Sequence, residues 1–146
     1  IQLLSTVTLS VDNGHNIILN RLTELYHESE LSRKPALLKA LSYLMVTFQE
    51  KFGPEVKSLF LDRILELLQS DSRPIVKTAF AILKVWLKTI SDEEVFHCLH
   101  SVISNVTSIN ESNRSILRLE IKQLITRLIR KFGYDVILIN TNFQHN

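Results

Sequence analysis

A chain of 146 residues with only three glycines, three prolines and many leucines and isoleucines can bury about two thirds of its unfolded surface, and its composition excludes a turn-rich β architecture. A formal net charge of +2 is too small to argue for a nucleic-acid partner unless the charges are unevenly placed. The single cysteine, Cys98, excludes an internal disulfide framework and suits a reducing compartment. No uncharged apolar run reaches the ~18 residues of a membrane span, and no signal pattern opens the chain, so neither a membrane nor secretion is expected.

In chain order, a mixed run ends at Asp12-Asn13-Gly14, a turn signal, and a first helix is predicted from about His15 to Glu28 with Ile17, Ile18, Leu22 and Leu25 inward. After a polar break, a second helix runs from about Arg33 to Phe52 and stops at Gly53-Pro54, which ends one helix and starts another. The third, from about Glu55 to Gln69, places Val56, Leu59, Phe60, Ile64, Leu67 and Leu68 at amphipathic spacing.

The stretch Ser70 to Ile90 organises the rest. Ser72 is a candidate N-cap and Pro74 lies in the first turn, where proline is tolerated. Ile75, Val76, Ala79, Phe80, Ala81, Ile82, Leu83, Val85, Trp86 and Leu87 are apolar almost all the way round, so the helix must be covered on most sides. Arg73, Lys77, Lys84 and Lys88 fall within about 60° of one another at 100° per residue, a narrow cationic edge. Ser91-Asp92-Glu93-Glu94 then signals a capped fifth helix to about Val106. A polar loop from Thr107 to Asn113 leads to a sixth helix from about Ser115 to Phe132, ended by Gly133. Tyr134 to Ile139 begins a further element whose partner is expected beyond this segment.

Aligning Leu38 with Val76 and Leu117 also aligns Phe52 with Ile90 and Phe132, a period of 38 to 42 residues, and Lys51-Phe52-Gly53 recurs as Lys131-Phe132-Gly133. That is the period of HEAT and armadillo helix pairs, which stack into a solenoid because no pair buries its own apolar faces. The expectation is an all-α, HEAT/armadillo-like superhelix of about three helix pairs, near 15–52, 54–90 and 92–132, with a further element starting at 134–146. The whole of 1–146 reads as a single HEAT-repeat segment of a longer protein.

Charge sorts by layer. Residues 33–52, 71–90 and 111–132 hold 14 of the 17 Lys and Arg and 4 of the 15 acids, a net of +10, and the remainder nets −8. One helix layer is therefore a candidate footprint for a phosphate backbone or an acidic protein segment. The candidates are Arg73, Lys77, Lys84 and Lys88, then Arg114, Arg118 and Lys122 in one sector of the sixth helix, and Arg127, Arg130 and Lys131 elsewhere on it. The competing reading is a solvated face whose cations pair with acids of adjacent repeats.

His97-Cys98-Leu99-His100 lacks the further ligands of a tetrahedral metal site, so packed or surface histidines are the better reading. Three matches to the glycosylation acceptor pattern, at Asn105, Asn110 and Asn113, have no secretion signal to support them. No phosphate-cradling loop, nucleophile elbow or zinc-protease helix is present, and adjacent Glu93 and Glu94 serve a helix start better than acid/base work. Neither an enzyme nor a cofactor or small-molecule substrate is expected. Trp86 reads as core rather than as a base-stacking platform.

LSYLMVTF at Leu41 to Phe48, Lys84 to Lys88, and LITRLIRKFGYDVI at Leu124 to Ile137 together resemble the HEAT-type region of the ribosomal RNA processing protein 12 family, over roughly 35–139. The helix similar to LIRKFGYD, Leu128 to Asp135, is the specific part. The resemblance implies a long, non-enzymatic nuclear and nucleolar scaffold. Such a scaffold associates with small-subunit pre-ribosomes, pre-ribosomal RNA and assembly proteins, and supports subunit export with the Ran GTPase and transport receptors. Arg127, Arg130 and Lys131 match the family pattern. Two other readings stay open: a nuclear transport adaptor gripping a cargo or GTPase, and a regulatory HEAT segment of a large kinase.

Overall fold

A computed structural model describes residues 12–142 of the chain. Among them are eight α-helices, one short 3-10 turn and no strand, the all-α, HEAT-like class expected from the repeat period. The helices are α1 (Asp12–Glu28), α2 (Lys34–Thr47), α3 (Pro54–Leu67), α4 (Arg73–Thr89), α5 (Asp92–Thr107), α6 (Glu111–Ile116), α7 (Arg118–Phe132) and α8 (Tyr134–Asn142). They divide into two compact units at Arg63/Ile64, inside α3. Residues 1–11, read from sequence as a mixed run, lie outside the described residues.

In the first unit, α1 packs on α2. Asp12-Asn13-Gly14, expected as a turn, is instead the start of α1; Asp, Asn and Gly favour helix N-termini as well as turns, so the residues alone signal either. Leu22 is buried as expected but Ile17 is exposed, and Tyr26, one turn after Leu22, is buried with it. The Lys34 ammonium lies 5.0 Å from the Tyr26 ring centroid, a cation–π contact across the α1–α2 joint. Helix α2 buries Leu38, Leu41, Leu44 and Met45 and ends at Thr47, short of the predicted Phe52. Phe48 leaves helical geometry and Gln49–Lys51 form the 3-10 turn. The break follows Val46-Thr47-Phe48, a β-branched and aromatic run of low helix propensity. Pro54 then opens α3, where its missing N–H costs nothing. In this half of α3, Phe60 and Leu61 are buried and Leu59 is exposed, against its expected inward place.

The second unit is centred on α4. Its two largest side chains, Trp86 and Phe80, are 1% and 0% exposed, so Trp86 is core. Truncating either to alanine would cost about 3–5 kcal/mol. Ser72 occupies the N-cap position with extended backbone, but its hydroxyl makes no cap bond; its N–H donates to Ser70 Oγ at 3.0 Å. The last turn of α3 adds Ile64 and Leu65 to this core, and Leu68, just past its end, is buried as well.

Helix α5 carries the predicted capping box: Ser91 Oγ accepts from the Glu94 N–H at 3.2 Å and Glu94 Oε1 from the Ser91 N–H at 3.1 Å. Beyond it, the predicted loop and single sixth helix are resolved differently. Asn110 caps a short α6, accepting from the Asn113 N–H at 2.9 Å, and the chain leaves helical form at Leu117 before α7. Leu117 is 1% exposed, so the bend turns its side chain into the core. Gly133 stops α7 at φ 97°, a conformation open to glycine and strained for other residues. The apolar tail forms α8, which buries Ile137 and packs on α5 and α7. It thus has packing partners among the described residues, while Tyr134, Leu138 and Ile139 stay exposed.

Candidate nucleic-acid interface

The exposed edge of α4 is wider than its four cations. Arg73, Lys77 and Lys88 are exposed, as are Pro74, Ala81 and Val85, two of which were expected to be covered. On the helical wheel these extend the edge from about 60° to about 120°, cationic on one side and apolar on the other. Lys84 is not free for a partner in the same way. Its Nζ lies 3.6 Å from Glu120 Oε2 on α7 and 5.7 Å from the Phe80 ring centroid. Among the described residues, no ion pair involves Arg73, Lys77 or Lys88.

Arg114, Arg118 and Lys122 line a shallow, open groove of about 370 Å³ across the α6–α7 bend, with Glu111, Ser115 and Ile121. This is the sector that their sequence spacing predicts. Arg114 is held in place by a hydrogen bond from Nη1 to the Thr107 carbonyl at 3.3 Å. No ion pair among the described residues involves Arg118 or Lys122. On α7, Glu120 lies about 160° from both Arg118 and Lys122. Because Glu120 faces Lys84, the groove points away from the edge of α4. The cations expected in one layer therefore form two separate sets.

The remaining candidates join neither set. Lys131 Nζ sits 2.7 Å from Asp92 Oδ1 at the start of α5. The Arg127 guanidinium has its Nη1 buried without a hydrogen-bond partner, and Arg130 is exposed near the end of α7. The pairing of Lys84 and Lys131 with acids of neighbouring helices is what the solvated-face reading anticipates, and exposed pairs of this kind contribute about 0–1 kcal/mol each. Glu120 and Asp92 were not singled out from sequence. The available signal was spacing: Glu120 follows Lys84 by 36 residues, nearly one repeat.

The other motifs resolve into structure. No group of three metal-ligating side chains occurs among the described residues. His97 is exposed beside Glu93, at 3.8 Å. The Cys98 thiol donates to the Val95 carbonyl at 3.3 Å, and burial pushes its pKa up to about 11. Asn105 donates to the Ser101 carbonyl, Asn110 caps α6, and Asn113 is buried with its amide nitrogen 3.2 Å from the Ser70 carbonyl. These three asparagines thus have structural partners.

An RRP12-like protein of Homo sapiens is 26% identical over 98 residues, 67% of this chain, and one of Gallus gallus is 29% identical over the same length. Ribosomal RNA-processing protein 12 of Saccharomyces cerevisiae is 28% identical over 97 residues, 66% of the chain. The chain is thus similar to RRP12-named proteins over about two thirds of its length. It spans about 8% of the length of each of these RRP12 relatives. No family model and no solved structure matches it. No helix among the described residues is long and apolar enough to cross a membrane.

Proposed function

We propose that this chain is part of a non-enzymatic HEAT-repeat scaffold in ribosome biogenesis, one that meets ribosomal RNA precursors and their assembly proteins through its basic surfaces. The observation that carries this reading is the similarity to RRP12-named proteins over two thirds of the chain. In this reading the helices act as stacked pairs, near 15–52, 54–90 and 92–132. The groove cations Arg114, Arg118 and Lys122 and the α4 cations Arg73, Lys77 and Lys88 make phosphate-directed, sequence-independent contacts. Small-subunit pre-ribosomes are the particle class, the nucleus and nucleolus the place of action, and support of subunit export through Ran and transport receptors a further role.

The test is to crosslink the intact protein containing this segment in its own cells, purify it under denaturing conditions and sequence the attached RNA. Enrichment of ribosomal RNA precursors over messenger RNA of equal abundance is the expected result. Equal recovery of the two classes sinks the reading.

A further inference from the structure

We infer that the groove across the α6–α7 bend is a binding site for the backbone of a single RNA strand; this rests on the ribosome-biogenesis reading and narrows it to one surface and one form of nucleic acid. Arg114, Arg118 and Lys122 succeed one another at four-residue intervals along this open groove. On α7 one helical turn separates Arg118 from Lys122, about 6 Å of axial rise, comparable to the step between neighbouring phosphates of an extended strand, and Arg114 precedes them across the Leu117 bend.

Among the described residues, the groove's cations, like Arg73, Lys77 and Lys88 on α4, differ from Lys84 and Lys131 in having no acid partner, and they alone of these unpaired cations line a groove. Lys84 and Lys131 are already neutralised by Glu120 and Asp92, whereas among the described residues Arg118 and Lys122 have no ion pair and Arg114 is only anchored to a backbone carbonyl. Glu111 at one end is the single acid of the lining.

Two features favour a strand over an acidic helix. The lining offers one apolar side chain, Ile121, which is half-buried; a helix laid into a groove needs a row of apolar anchor pockets. Beside the cations, Leu119 and Ile116 are 66% and 40% exposed. On the α7 wheel Leu119 lies about 60° beyond Lys122. Unpaired bases can cover such a flank while their phosphates follow the cations, but a duplex keeps its bases stacked inside. With no hydrogen-bonding frame for base edges, binding is sequence-tolerant and dominated by counterion release.

The experiment titrates the full 146-residue chain with a labelled 12-nucleotide oligouridine strand across a salt series, beside an RNA duplex of equal length and a poly-glutamate competitor. Two variants are compared, Arg114→Gln/Arg118→Gln/Lys122→Gln and Arg73→Gln/Lys77→Gln/Lys88→Gln, each checked for folding by circular dichroism. For three phosphate contacts, the groove variant should lose at least about tenfold in affinity and about 2 from the log–log salt slope. The α4 variant should lose clearly less affinity than the groove variant, and the strand should bind more tightly than the duplex. If the triple groove variant does not fold, Lys122→Gln replaces it, with an expected slope change of about 0.7. Wild-type binding that survives the groove variant overturns the groove and leaves RNA association standing. Preference for duplex, or for poly-glutamate, overturns the single-strand assignment. Absence of any oligonucleotide binding also overturns the groove, while the cellular crosslinking judges the wider reading independently.

Discussion

The side-chain amide of Asn113 donates to the backbone carbonyl of Ser70 at 3.2 Å, joining positions 43 residues apart, and Asn113 is only 4% exposed. Around it, Gln69 Nε2 donates to the Asn105 carbonyl at 2.8 Å and Asn110 Nδ2 to Asp71 Oδ1 at 3.4 Å. The α3–α4 loop is thereby stitched to the end of α5 and the start of α6, one repeat later. Asn113→Leu strands the Ser70 carbonyl and should lower unfolding free energy by about 1–3 kcal/mol. Gln69→Ala, at an exposed site, should cost under about 1 kcal/mol. Urea denaturation followed by circular dichroism measures both; equal effects would show that burial does not govern this seam.

The reciprocal Ser91–Glu94 bonds at the start of α5 make a second, separable prediction. Ser91→Ala should destabilise by about 0.5–2 kcal/mol. In a double-mutant cycle with Glu94→Ala the two losses should fall short of additive, because each member satisfies a backbone N–H whose geometry the other helps to hold. Strict additivity in thermal unfolding would argue against a coupled box.

Gly133 and Gly53 both have open space where a Cβ would stand, but only Gly133 has positive φ. Gly133→Ala should therefore cost about 1–3 kcal/mol through backbone strain alone. Gly53→Ala, free of that strain, should be neutral or stabilising by up to about 1 kcal/mol. Paired melting curves compare them directly, and equal shifts in Tm would rule out a conformational origin.

Burial raises the Cys98 thiol from the ordinary 9.0 to about 11. The folded chain then holds this proton more tightly than the unfolded chain. The corresponding stability is fully present below about pH 9 and is lost as pH climbs through about 11. At pH 8 the folded chain should present about a hundredth of the thiolate of an unperturbed cysteine, so iodoacetamide labelling should be slow until urea unfolds the protein. Fast labelling of the native chain would place the thiol in contact with solvent.

Much of this fold was legible because helices declare themselves locally. The α5 cap is written in Ser91 and Glu94, the stop of α7 in Gly133, and the buried face of α4 in the spacing of Val76, Ala79, Leu83 and Trp86. The misses have physical causes. Asp12-Asn13-Gly14 suits a turn or a helix start equally, and α2 broke at Phe48 on weak propensity that a clean apolar period concealed. Leu59, Ala81 and Val85 are apolar yet exposed, because periodicity identifies a helix more surely than it fixes the width of its covered face. In the candidate site, the four-residue ladder of Arg114, Arg118 and Lys122 could be read directly. The diversion of Lys84 to Glu120 and of Lys131 to Asp92 could not, since each pair joins residues far apart in the chain.

The sequence by itself determined the all-α class, the repeat period, the α5 cap and the uneven distribution of charge, since each depends on neighbours within one or two turns or on a simple count. Tertiary structure alone decided which cations are neutralised, that the α6–α7 groove faces away from the edge of α4, and that Asn113 is a buried seam. Those outcomes depend on which segments meet, and a helix or loop 36 to 43 residues away in the chain supplies the acid or the carbonyl that settles each one.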